Sequence, residues 1–147
     1  MRSGQRGFTI VELMITVALF AIIAGMAMPS FTGFVQRNQL SSSVRSIIGG
    51  VALARSQAIS QRENVVFGPQ DGAWVNGWQV SKGGIVIRQS DPFPAGYTLI
   101  FANGSTNLTF NPRGILAIAS NEEITISDAH GNSRVVHLPR SGSAYIR

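Results

Sequence analysis

Residues 6–13 read Arg6-Gly7-Phe8-Thr9-Ile10-Val11-Glu12-Leu13, and this stretch decides how the rest of the chain is interpreted. A short basic leader ends at Gly7, and an almost wholly apolar run extends from Phe8 to Met28. As a helix, that run would measure about 31 Å, close to the thickness of a bilayer core. A secretory signal peptide has a shorter apolar region with its cleavage site behind it. Here the candidate cleavage site precedes the run, so we expect the run to stay on the mature protein.

The same octet resembles the type III signal of type IV pilins and pseudopilins. The resemblance implies that a prepilin peptidase cleaves between Gly7 and Phe8 on the cytoplasmic face, and that the new Phe8 amine is N-methylated. The residues suit this processing, because Gly7 has no side chain to block a peptidase from the backbone. Arg2 and Arg6 would hold the leader on the cytoplasmic side. The alternative is an ordinary signal-anchor helix with a chance Gly-Phe pair.

Glu12 is the one charged residue of the apolar run. A charge at the centre of a bilayer helix costs about 3 kcal/mol or more. As the fifth residue of the expected mature chain, Glu12 could simply reach the membrane interface. Alternatively, its carboxylate pairs with the Phe8 amine of the same or a neighbouring subunit, which would relieve the cost of burial and set the register between subunits. The pilin resemblance implies this second role, in subunit assembly.

A helix bend is expected over residues 25–33. Pro29 closes the apolar run and is flanked by Gly25 and Gly33. Proline removes one helical hydrogen bond and clashes with the preceding turn, so it kinks a helix. Both a plain proline kink and a segment that melts when subunits pack or are pulled fit this pattern.

An amphipathic helix is predicted to continue over residues 29–63. Its apolar positions recur at alternating spacings of four and three, which mark one helix face: Leu40, Val44, Ile47, Val51, Ala54 and Ala58. We expect this face to cover a β-domain. Gly49 and Gly50 each weaken a helix interior by about 1 kcal/mol relative to alanine. We attribute both glycines to close packing against the sheet.

The hydrophobic period changes to two from Asn64 onward, and glycine-containing turn signals separate the apolar segments. The predicted strands are 65–67, 78–80, 85–88, 97–101, 108–110, 115–118, 124–126 and 134–138. Short spacings favour antiparallel hairpins. The expected fold class is α+β and pilin-like: a long N-terminal helix, membrane-spanning in its first half, packed on an antiparallel β-domain.

Four segments follow from this pattern. Residues 1–7 form the prepilin leader, and residues 8–28 form a transmembrane or filament-core helix. Residues 29–63 continue the helix, and residues 64–147 form a periplasmic β-domain. The chain of 147 residues is long enough for one membrane helix and one small domain.

Later motifs narrow the resemblance to a subgroup. The segments are Ala54-Arg55-Ser56-Gln57-Ala58-Ile59, Trp74 with Gly77-Trp78, and Phe110-Asn111-Pro112-Arg113-Gly114. Together they are similar to the GspH/FimT family of minor pilins. Residues 29–31 and 37–40 look more like the FimT/FimU members of pili than the pseudopilins of type II secretion. We interpret both tryptophans as core or turn anchors rather than as a ligand site.

The C-terminal arginines raise the question of DNA binding. Some members of the family bind DNA through a Gly-Arg-x-Arg motif, but here Ser143 stands where the first arginine would be. Arg134, Arg140 and Arg147 still gather in the last fourteen residues. They could contact phosphates while Tyr145 stacks on a base. The alternative is a solvated edge with scattered arginines.

The composition argues against enzymatic chemistry. The chain has no cysteine and two histidines, and its formal charge of +5 does not by itself indicate nucleic acid. Glu122, Glu123 and Asp128 lack the spacing of a calcium loop, and we expect them at a solvated hairpin end. We therefore predict a non-enzymatic protein without catalytic residues, cofactor or metal.

The combined interpretation is a minor pilin that is incorporated into a type IV pilus or primes its assembly. Two alternatives remain open: a DNA-binding pilin for natural transformation, and a minor pseudopilin of type II protein secretion. The expected partners are prepilin peptidase, other major and minor pilins, the inner-membrane assembly platform and membrane lipid. The expected location is the bacterial inner membrane, with one span and a periplasmic C-terminal domain, and afterwards the pilus or pseudopilus.

Processing gives the first test. Gly7→Glu should leave the seven-residue leader attached, because a bulky acid would obstruct the peptidase at the scissile bond. N-terminal sequencing of the wild-type protein should begin at N-methylated phenylalanine. An intact Met1 on the wild-type protein would contradict the pilin interpretation.

Overall fold

The computed structural model describes residues 8–146, and for residues 26–30 it describes the helical backbone alone. The predicted leader with Gly7, and the C-terminal Arg147, lie outside the described residues. Within that range one long helix is followed by eight strands: α1 (Ile10–Gln61), β1 (Val65–Pro69), β2 (Trp78–Lys82), β3 (Ile85–Gln89), β4 (Thr98–Phe101), β5 (Leu108–Phe110), β6 (Glu122–Ser127), β7 (Ser133–Leu138) and β8 (Tyr145–Ile146). Two short 3₁₀ turns, Gln70–Gly72 and Trp74–Asn76, connect β1 to β2.

The chain divides between Gln36 and Arg37 into two units. The first unit contains the N-terminal part of α1, where the large apolar side chains that the structure describes are exposed, from Phe8 to Phe34. The helix assignment is unbroken across Gly25, Pro29 and Gly33, and the bend over these residues stays a prediction. In residues 8–25 and 31–146, whose side chains are described, no helix is both long and apolar enough to span a membrane.

The second unit is built on the predicted apolar face of α1. All six residues of that face are 2% exposed or less: Leu40, Val44, Ile47, Val51, Ala54 and Ala58. The stripe is therefore confirmed as the helical side of the core. The helix ends at Gln61, and Arg62 then adopts a positive φ of 53° before β1 begins.

Eight strands form two four-stranded antiparallel sheets within the described part of this unit. One sheet has the order β3-β2-β1-β5, and the other has the order β4-β6-β7-β8. Each sheet combines neighbouring strands with one longer-range pair, β1 with β5 and β4 with β6. Buried side chains from both sheets join the helix stripe in one core: Val65, Phe67, Val80, Leu108 and Phe110 from the first, and Phe101, Ile124, Ile126, Val136 and Leu138 from the second. The predicted α+β class is confirmed.

The two tryptophans link the sheets and the helix. The ring of Trp74 stacks on Phe101 of β4 with centroids 5.0 Å apart, and it also lies 5.7 Å from Phe67 of β1. Trp78 packs against Phe67, and its indole N–H donates to the Ser46 hydroxyl of α1 at 2.9 Å. The interpretation of both residues as core and turn anchors agrees with these contacts.

The prediction of a strand over residues 115–118 is wrong. Leu116 forms only an isolated bridge with Phe110. Its N–H donates to the Arg140 carbonyl, while the next N–H donates to the Thr109 carbonyl. The segment therefore ties the edge of one sheet to the turn after β7 instead of extending either sheet. The short strand β8 was not predicted, because two residues carry too little alternation to be recognised.

The acidic residues of the second sheet also differ from expectation. Glu122 is only 1% exposed, and its carboxylate accepts hydrogen bonds from the Asn103 N–H at 2.9 Å and the Ser105 hydroxyl at 2.6 Å. Asp128 is also buried, and hydrogen bonds from Asn132 hold the pKa of its carboxyl below its usual value. Buried carboxylates require such donors. These two acids therefore organise turns and do not form a solvated hairpin end.

The adjacent glycines of α1 have different surroundings. A Cβ on Gly50 would lie 2.6 Å from the Phe67 ring and 2.9 Å from the Trp78 ring, so this glycine is required by close packing. A Cβ on Gly49 would meet nothing within 4 Å. The prediction of close packing is thus correct for Gly50 and wrong for Gly49.

These surroundings predict opposite effects on stability. Gly50→Ala should lower the free energy of unfolding by about 1–3 kcal/mol, because the core is overpacked. Gly49→Ala is the matched control and should raise it by up to about 1 kcal/mol, because alanine favours the helix. Urea unfolding of the full chain in detergent, followed by tryptophan fluorescence, measures both changes. Equal effects of the two substitutions would contradict the packing difference.

Candidate functional site

The candidate assembly site is the start of α1. The helix begins at Ile10, and its first backbone hydrogen bond runs from the Leu13 N–H to the Thr9 carbonyl at 3.2 Å. Thr9 is therefore the N-cap residue. Phe8, the residue expected to begin the mature chain, precedes the cap and is 87% exposed.

Thr9 and Glu12 form a reciprocal capping box. The N–H and the hydroxyl of Thr9 both donate to Glu12 Oε2 at 2.9 Å, and the Glu12 N–H donates to Thr9 Oγ1 at 3.2 Å. Such a box satisfies backbone donors that a helix start otherwise leaves unpaired. Removing a cap of this kind costs about 0.5–2 kcal/mol. The box also fixes the position of the carboxylate relative to the backbone of the N-terminal turn.

The sequence-based interpretation of Glu12 missed this role. The available signal was local: threonine and glutamate three residues apart, directly before an apolar run. The structure adds a useful asymmetry, because Glu12 Oε2 accepts both bonds from Thr9 while Oε1 accepts none from the residues that the structure describes. One oxygen of the carboxylate therefore caps the helix, and the other remains available to a further donor.

The predicted pairing of Glu12 with the Phe8 amine stays a prediction. That amine exists only after cleavage at Gly7, which lies outside the described residues. The Thr9 N–H that Glu12 accepts is one residue from Phe8. The carboxylate is thus held at the end of the helix where the cleaved chain would begin.

The structure describes three of the four residues proposed for DNA binding, Arg134, Arg140 and Tyr145, whereas Arg147 lies outside the described residues. Arg134 lies near the start of β7 and Arg140 follows its end, so an extended chain separates them by about 20 Å. Tyr145 of β8 pairs with His137 of β7, and their rings stack with centroids 5.5 Å apart. His137 also contacts Glu123 at 3.0 Å. Tyr145 therefore already stacks within the protein, and DNA binding stays a prediction.

Comparison with known families gives two matches. Residues 43–142 match the family described as "Type II transport protein GspH". Residues 2–28 match the "Prokaryotic N-terminal methylation motif". The first match spans most of the second unit, and the second spans the leader and the apolar run.

Solved structures share the fold. The crystal structure of the type IV minor pilin FimU from Pseudomonas aeruginosa is 26% identical, covers 78% of this chain and 92% of that one, and superposes with a TM-score of 0.65. The minor pseudopilin EpsH of the type 2 secretion system of Vibrio cholerae is 11% identical, covers 74% of this chain and 96% of that one, and has a TM-score of 0.55. The likeness to EpsH concerns the fold alone.

Two fimbrial proteins match over shorter lengths. The type IV major fimbrial protein FimA of Dichelobacter nodosus is 40% identical over 73 residues, which are 50% of this chain and 38% of that protein. The fimbrial protein EcpC of Eikenella corrodens is 33% identical over 92 residues, 57% of this chain and 60% of that protein. The matched part thus covers less than two thirds of either relative.

These matches agree with the fold and with the position of the capped apolar helix. Members of such families are structural subunits that are processed at the N terminus and interact with other pilins in membrane-anchored assemblies. The chain therefore belongs to the GspH/FimT family of type IV pilins and pseudopilins.

Proposed function

We propose that this protein is a minor pilin that enters, or primes assembly of, a type IV pilus. The observation that carries the proposal is the first unit of the chain. Its helix exposes apolar side chains on all sides, and the one carboxylate among them is held in a capping box at the N-terminal end. A helix that is apolar all round needs lipid or other helices around it. We infer that the apolar run of residues 8–28, which extends beyond the described side chains, spans the inner membrane first and lies in the pilus core afterwards.

Glu12 supplies the contact between subunits in this proposal. An unpaired carboxylate in a helix core costs several kcal/mol, so a neighbouring subunit must provide a cation. The methylated Phe8 amine of that neighbour is the cation that we propose. Cleavage would create it at the N-terminal end of the helix, where Glu12 also lies. Oε1 would accept the amine while Oε2 continues to cap its own helix. The assembly platform would then extract the subunit only where this pairing forms.

The choice of a pilus over a secretion pseudopilus rests on the likeness to FimU. FimU is described as a type IV minor pilin, and its identity to this chain extends over most of both proteins. The likeness to the secretion pseudopilin carries no more than the fold. A non-enzymatic role agrees with this proposal, because a pilin acts by packing against other subunits.

Glu12→Gln separates charge from capping. Glutamine can still accept the Thr9 bonds of a capping box, but it cannot form an ion pair with an amine. We expect normal insertion into the inner membrane and at least a tenfold fall in the amount of protein in sheared pili. Immunoblots of membranes and sheared pili from the native host measure both pools. Normal incorporation of the glutamine variant would contradict the charge-pairing role.

Deletion of the gene distinguishes the competing functions. Loss of piliation or of pilus-dependent motility supports the minor pilin. Loss of protein secretion with normal pili would identify a pseudopilin instead. Loss of DNA uptake with normal pili would favour the DNA-binding alternative.

Thr9→Val tests the cap itself. Valine removes the hydroxyl that accepts from the Glu12 N–H, whereas Thr9→Ser keeps it. The Glu12 amide should exchange with deuterium about 5- to 30-fold faster in the valine variant, which corresponds to a loss of about 1–2 kcal/mol of local stability. The serine variant should exchange at the wild-type rate. Equal exchange in all three proteins would show that the capping box is not formed.

A further inference from the structure

A groove in the second unit lies between α1 and the segment that leads into β8. It has a volume of about 510 Å³. Its walls are mainly aliphatic: Ile48, Ala52 and Ile59 come from α1, and Ala144 comes from the segment before β8. The side chain of Arg55 lines the same groove. The cationic side chain of Arg55 thus lies beside apolar residues, on a surface that has no part in the proposed pairing of Glu12.

Two glycine turns hold the stem of Arg55. A Cβ on Gly114 would lie 3.2 Å from Arg55 Cγ, and a Cβ on Gly142 would lie 3.1 Å from Arg55 Cδ. Both glycines have positive φ, 72° and 79°, which favours glycine at these turns. The lack of a side chain at the same two residues also leaves room for the arginine stem. The Arg55 Nε–H donates to the Gly114 carbonyl at 3.2 Å. The arginine stem is therefore packed between the two turns, and its Nε is bonded to the Gly114 carbonyl.

The charge of Arg55 is not balanced inside the protein. Among the residues that the structure describes, no carboxylate forms an ion pair with it, and its only hydrogen bond uses Nε. Its terminal Nη groups therefore have four N–H donors to offer. The hydroxyls of Ser56 and Ser143 line the same groove and add further polar groups. A half-buried guanidinium of this kind suits the planar, bidentate geometry of a carboxylate.

We propose that the Arg55 groove binds an aspartate or glutamate side chain, flanked by aliphatic residues, of a neighbouring pilin subunit. This inference rests on the proposed function, in which the chain packs beside other subunits. Charge complementarity identifies the occupant, because Arg55 is the one charged side chain among the residues that line the groove. The aliphatic walls favour a polypeptide over a bare anion, since Ile48 and Ile59 can cover neighbouring apolar side chains of the same segment.

A pair of matched peptides tests the recognition. The probes are acetylated, amidated Leu-Glu-Leu and Leu-Gln-Leu, titrated into the purified full-length chain in detergent micelles. The ¹⁵N resonance of the Arg55 Nε–H is the readout. We expect a saturable shift with the glutamyl peptide and at least tenfold weaker binding of the glutaminyl peptide. Equal binding of the two, or no shift with either, overturns the proposal.

Three variants locate the binding. Arg55→Lys keeps the charge but loses the bidentate fork and the Nε bond, so binding followed on backbone resonances should weaken at least tenfold. Ala52→Trp fills the groove from the exposed side of α1 without touching the Gly114 bond, and it should also abolish binding if Arg55→Lys disturbs folding. Arg45→Lys, at an exposed arginine outside the groove, is the control. Unchanged binding in the first two variants overturns the proposal.

Inorganic phosphate separates a peptide site from a simple anion site. Phosphate should displace the glutamyl peptide only at a concentration at least tenfold above that of the peptide. Displacement at equal concentration overturns the assignment to a peptide carboxylate. The titration uses isolated subunits, so its failure is distinct from a failure of Glu12→Gln to block pilus incorporation.

Discussion

One helix must satisfy two environments, and this constraint organises the whole molecule. Over 52 residues α1 is apolar on all sides in its first part and apolar on one face in its second. The second part buries that face against two sheets, so the domain can fold around it in water. In the first part the large apolar side chains that the structure describes are exposed, and in the proposed function lipid or other subunits would bury them. Folding and assembly are therefore divided along a single element.

Most of the domain could be predicted because its signals are periodic. The stripe from Leu40 to Ala58 marks one helix face by spacing alone, and seven of the predicted segments correspond to strands. The failures lie where partners are distant in sequence. Glu122 was interpreted as solvated because nothing near it suggests burial, yet its donors come from a loop around Asn103. Leu116 alternates like a strand residue, but the turn at Gly114 directs it between the two sheets.

The candidate site likewise combines features that the sequence reveals locally with features that depend on the fold. Glu12 was recognisable because a lone carboxylate in an apolar run is costly wherever it lies. The capping bonds between Glu12 and Thr9 are equally local in sequence. They were missed because Glu12 was interpreted only through the cost of placing its charge in an apolar helix. DNA binding by the C-terminal arginines stays a prediction, and it rested on a different kind of signal. Residues that are close in sequence can be far apart along a strand: Arg134 lies near the start of β7, and Arg140 follows its end.

Three segments that are distant in sequence meet around the side chain of Arg55 in the second unit. Arg55 belongs to a helical motif, and Gly114 ends a turn in which the Asn111 side chain accepts from two backbone N–H groups. Gly142 belongs to a third segment, and both glycines lie against the arginine stem, although a Cβ would come nearer still to Ile59 at Gly114 and to the Gly114 carbonyl at Gly142. The Gly114 carbonyl accepts from Arg55 Nε–H, whereas the other hydrogen bonds of these turns come from the backbone and from the Asn111 side chain. That bond uses Nε alone, and the Nη groups have no acceptor among the residues that the structure describes. The guanidinium is therefore better explained by what it can bind at the surface than by the stability of the domain.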